Sequence, residues 1–115
     1  MALIDPNDVA SAGIDDVQDA IDRLNALKSK PGADIPSINA QIKVLIAKQV
    51  SLRTQALRQI EDTPENQQAI AAMNDAAADL KTAAGNITDT ATALTAAAKV
   101  VSTVTTLITS LAPFI

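Results

Sequence analysis

The 115-residue sequence predicts an all-α protein, a single domain over 1–115 folded as an antiparallel helical bundle, and three observations point there. Hydrophobic residues make up 48% of the chain, yet Phe114 is its one aromatic and there are only three glycines. A core of Ala, Val, Leu and Ile suits closely approaching helices, and so few turn residues leave little room for a many-stranded sheet. Second, a cap residue, a proline and an early acid recur at Asp5-Pro6-Asp8 and Thr63-Pro64-Glu65, the signature of a helix start. Third, apolar residues recur at helical spacing along most of the chain.

The first helix is expected at about 7–29. Ala10, Ile14, Val17, Ile21 and Leu24 form one stripe, with Asp15, Asp16, Asp19 and Asp22 off it and Arg23, Lys28 and Lys30 late, where the helix dipole favours cations. Pro31-Gly32 and Pro36 then break the helix. Ser37 is expected to cap a second helix over 37–62, with Ile38, Ile42, Leu45, Leu52, Ala56 and Ile60 inward and Ile46 and Leu57 widening the stripe. Gln49 interrupts that stripe and is expected at its edge, the commoner place for a glutamine, the alternative being a buried hydrogen bond that sets register.

A third helix is expected at 64–84 and a fourth at 87–112. From Met73 the sequence carries a seven-residue repeat, Met73, Leu80, Ile87, Leu94, Val101, Ile108 and Ile115, with Ala76, Ala83, Thr90, Ala97, Val104 and Leu111 between. Beside it runs a third row, Ala93, Val100, Leu107 and Phe114. Gly85 is expected to end the third helix, with Asn86 capping the fourth; for the same reason the Asn86-Ile87-Thr88 sequon reads as a helix cap rather than a glycan acceptor. The alternative is three helices, the last running unbroken through Gly85, because the repeat stays in phase across it.

Composition narrows function. The sequence has no Cys and no His, which removes disulfides, thiolate chemistry, the usual nucleophile–base pairs and the commonest transition-metal ligands. No cofactor and no enzymatic activity is expected. A net charge of −4 disfavours nucleic acid, and Lys43, Lys48, Arg53 and Arg58, five residues apart, would spiral around a helix instead of lining one face. The acids of the first helix lack the loop geometry of a calcium site and read as a solvated face. No signal peptide is evident at the start, so the cytoplasm is the default location, with export by a route that needs no cleaved leader left open.

The last quarter of the sequence differs from an ordinary soluble helix. Between Thr90 and Ile115 the single charge is Lys99, and the face opposite the apolar rows is built of Thr and Ser. A helix with so little charge outward is expected to be covered. Leu94, Val101, Val104, Leu107, Ile108, Leu111 and Phe114 are therefore the expected interaction residues, serving a homo-oligomer or a protein partner. The competing expectation is a membrane-active protein whose C-terminal helix lies on or enters a bilayer.

Overall fold

The computed structural model of the chain describes residues 3–115. Four helices, α1 (Pro6–Leu27), α2 (Ile35–Arg53), α3 (Pro64–Gly85) and α4 (Ala93–Leu111), are joined by two short strands, β1 (Leu3–Ile4) and β2 (Ile60–Glu61), and closed by a 3-10 turn at Ala112–Phe114. The chain breaks after Gly85, so the four-helix arrangement holds and the long unbroken helix does not form.

The order of elements repeats. Each half is a two-residue strand, a helix of 22 residues, a connection (28–34 or 86–92) and a helix of 19 residues. β1 and β2 pair antiparallel, with Leu3 opposite Glu61 and Ile4 opposite Ile60, which sets the starts of α1 and α3 at the same end of the bundle. The chain terminus returns there too, because the Arg58 N–H donates to Phe114 O at 2.8 Å. At the far end the two connections meet: Thr90 Oγ1 donates to Pro31 O at 3.4 Å, beside Gly32, whose φ of 81° only glycine adopts without strain.

α1 packs on α2, α3 and α4, and α4 packs on α1, α2 and α3, whereas α2 and α3 make no substantial contact with each other. The cross-section is thus a rhombus with α1 and α4 on its short diagonal and α2 and α3 at its far corners. Gly13 allows the short diagonal, its missing side chain leaving room for Leu107, Leu52 and Leu80 from the other three helices. Val17, Leu24, Ile38, Leu45, Leu80, Val100, Val104, Leu107 and Leu111 fill one continuous core.

Local chemistry explains most boundaries. Asp5 Oδ1 accepts from the Asn7 N–H at 2.9 Å and opens α1. α2 begins two residues earlier than expected because Asp34, not Ser37, is its cap: Asp34 Oδ1 accepts from the Ser37 N–H at 3.3 Å and Oδ2 from the Ser37 hydroxyl at 2.9 Å. Asn86 caps the end of α3 rather than the start of α4, and α4 starts at Ala93 instead of 87 after Asp89 Oδ1 accepts from the Thr92 N–H and hydroxyl, both at 2.9 Å.

Three further expectations are corrected. α2 ends at Arg53, not Asp62; Ala56 is exposed, and Ile60 reaches the core from β2 rather than from a helix. Gln49 is buried, 3% exposed, with Nε2 donating to Ile14 O at 3.2 Å and Gln18 Oε1 at 3.1 Å across the α1–α2 contact. The seven-residue row changes at the break: Met73, Leu80 and Ile87 are buried, but beyond it the buried row is Ala93, Val100 and Leu107, and Leu94, Val101 and Ile108 are only half-buried. The 86–92 connection turns the chain, so α4 enters the core with the adjacent row.

Candidate interaction surface

The seven expected interaction residues divide. Val104, Leu107 and Leu111 are fully buried inside the bundle, so they are taken up by intrachain packing and offer no surface. Leu94, Val101, Ile108 and Phe114 are half-buried against the core edge. The outer side of α4, whose one charge is Lys99, satisfies its own hydroxyls: Thr105, Thr106 and Thr109 each donate to the carbonyl four residues back, at 2.8, 3.1 and 3.0 Å. That internal bonding accounts for a solvent face that carries Thr in place of charge.

The exposed large apolar residues lie mainly elsewhere. Ile35, Val44, Ile46 and Val50 of α2 are between 40% and 49% exposed. α2 buries Ile38, Ile42, Leu45, Gln49 and Leu52 against α1 and α4, and its outward side still carries Ala40, Val44, Ile46, Ala47 and Val50. α2 is thus apolar on two sides, of which the bundle covers one. Pro36, Asn39, Ala40, Ile42 and Lys43 line a shallow depression on it.

Charge sorts with the helices. α2 contains Lys43, Lys48 and Arg53 and no carboxylate, whereas α1 contains Asp8, Asp15, Asp16, Asp19 and Asp22 and α3 contains Glu65, Asp75 and Asp79 with one cation, Lys81. Lys43 and Arg53 are exposed on α2, and Arg58 falls beyond the helix, so the expected four-cation spiral shortens to three. On α1, Arg23 pairs with Asp19 at 3.0 Å and Gln18 donates to Asp22 at 3.0 Å, as expected of a solvated face. Among the described residues, no group of three or more acids could hold a metal ion.

Two carboxyls depart from ordinary behaviour. Burial holds Asp16 above its usual value, Lys81 on α3 pulls it back, and neighbouring Asp15 and Asp19 add to the rise. Asp89 is held below its usual value by the Thr92 backbone N–H and hydroxyl.

Sequence reasoning overlooked the α2 face by assigning Ile46 to the inward stripe. The signal was present in the alternation of Ile42, Val44 and Ile46 with Leu45 between, which no single helical face accommodates.

The class defined by this geometry is an all-α, four-helix bundle whose described residues leave the outer apolar face of α2 without a partner. Compared with protein-family models, with curated proteins and with solved structures, the chain matches none of them.

Proposed function

We propose that this chain is a non-enzymatic helical interaction protein that associates with copies of itself or with a protein partner, and that its docking face is the outer side of α2. The reading supersedes a surface centred on Val104, Leu107 and Leu111, which the fold consumes. The observation that carries it is that Ile46 and Val50, one turn apart, and Val44 on the opposite flank stay 40–49% exposed on a helix whose other side is already packed. Covering the 40–49% of each side chain that is still exposed yields about half the value of full burial, roughly 0.7–1.5 kcal/mol each.

The test is solution mass by light scattering over a concentration series, for the native chain and for Val50→Lys. A native mass that grows with concentration and a variant that stays monomeric, with unchanged helicity, support the face. Identical masses for the two count against it.

A second reading rests on α4. Ala93–Phe114 spans 22 residues at mean hydropathy 1.4, long and apolar enough to cross a bilayer, a property shared by core helices and spanning helices. Entry into lipid would require α4 to leave the bundle and take Val100, Val104 and Leu107 out of the core. Vesicle leakage accompanied by loss of the native fold would favour that reading.

A further inference from the structure

We propose that the occupant of the α2 face is the outer face of α3 on a second copy, Lys43 lying opposite Asp75, so that copies add side by side. This deepens the interaction reading above and rests on it.

The first support is charge. The exposed residues of α2 are apolar and cationic with no carboxylate, while those of α3 include Glu65, Asp75 and Asp79 against one cation, Lys81, with Ala71, Ala78 and Thr82 among them. Opposite signs on two unpartnered faces of one chain favour contact between copies and fix its register.

The second support is position. α2 and α3 occupy the far corners of the rhombus and do not pack on each other. One copy can therefore use both faces at once, each toward a different neighbour.

The third is height. Lys43 lies ten residues before Arg53, where α2 reaches the strand end of the bundle, and Asp75 lies eleven residues after Pro64, where α3 leaves that end. At 1.5 Å per residue the two stand about 15 and 17 Å from the same end. A copy displaced sideways without rotation meets its neighbour with α2 and α3 antiparallel and the two charges level. Ala40 then faces Ala78, and Ala47 faces Ala71, all four exposed, so the helices can approach closely while Val44, Ile46 and Val50 cover the flanks. Such a contact joins two different surfaces and does not close on itself, so the expected product is an open chain of copies.

The test compares the native chain with Lys43→Glu, Asp75→Lys and the double swap, by sedimentation velocity over a concentration series, with circular dichroism to verify the fold. Native mass rises with concentration; each single reversal weakens association about tenfold or more; the swap restores it. An equimolar mixture of the two single variants also regains association, because each supplies the charge that the other's altered face lacks, and the two alternate along the chain of copies. A native chain that associates, loses association with Val50→Lys, yet ignores both reversals overturns the α3 seating and leaves the α2 docking face standing. A native chain that is monomeric throughout overturns the seating, and one that in addition floats with phosphatidylserine-containing vesicles replaces the second copy with an anionic membrane.

Discussion

A Cβ placed on Gly13 of α1 would stand 2.8 Å from Leu107 Cδ2 of α4, closer than real Cβ contacts allow. Leu52 Cδ1 would lie at 3.3 Å and Leu80 Cδ2 at 3.7 Å, so all four helices converge on this one missing side chain. Gly13→Ala gains about 1 kcal/mol of helix propensity but overpacks the bundle centre, a cost of about 1–3 kcal/mol. The expected net result is a loss of stability up to about 2 kcal/mol, growing further for Gly13→Val. Combining Gly13→Ala with Leu107→Ala should cost less than the two single losses added, because the new methyl enters the space that the leucine vacates. Urea denaturation of the four proteins in that cycle checks the coupling.

Gln49 Nε2 donates to two acceptors, Ile14 O and Gln18 Oε1, at a position that is almost fully buried. Gln49→Leu removes the donor and leaves little behind it unpaired, since Gln18 is exposed and can turn to water. Its stability should lie within about 1 kcal/mol of the native chain. Gln49→Glu instead points a carboxylate at two acceptors and should cost about 2–4 kcal/mol at neutral pH. Burial raises the folded pKa of that new carboxyl above its unfolded value of about 4.3. The variant's deficit should accordingly be smallest below that pH and widen as pH rises through the folded value, as thermal melts from about pH 3 to 8 would record.

The starts of α1 and α3 are legible because their signals are local: Asp5-Pro6 and Thr63-Pro64 specify cap and first turn within a few residues. The end of α2 is not. Between Pro36 and Pro64 there is neither Gly nor Pro, and Leu52, Ala56 and Ile60 keep helical spacing. What stops the helix at Arg53 is distant, the pairing of Ile60 with Ile4 and of Arg58 with Phe114, so no local pattern records it. The outer apolar side of α2 was obscured for a related reason. When apolar residues occupy both sides of a helix, periodicity reveals that it is buried but not which side faces its own bundle.

Asp16 and Asp89 should shift stability with pH in opposite senses. Asp16 has a raised folded pKa, so its favourable contribution is complete below its unfolded value and is lost as pH rises through the folded one. Asp16→Asn should therefore raise the Tm slightly at about pH 7 and leave it unchanged at about pH 3. Asp89 has a lowered folded pKa, so its contribution is present above the unfolded value and is lost as pH falls through the folded one. Asp89→Ala should lower the Tm at about pH 7, by loosening the 86–92 connection, with the difference shrinking toward about pH 2. Calorimetry of the two variants across that range separates the signs.

The change of row at the α3–α4 turn yields a test between adjacent residues. Val100 is fully buried and Val101 half-buried, although the seven-residue repeat begun at Met73 assigns the inward position to Val101. If α4 packs with the row Ala93, Val100 and Leu107, Val100→Asp strands an unpaired carboxylate at a fully buried core position and costs about 4 kcal/mol or more, enough to unfold a small domain. Val101→Asp can turn its carboxylate to water at the edge of the helix and should cost about 1–2 kcal/mol. Circular dichroism at about 25 °C would then find Val101→Asp helical and Val100→Asp largely unfolded. The opposite ranking would mean that the repeat runs through the turn in register and that α4 is rotated by one residue, about 100°, from the packing described.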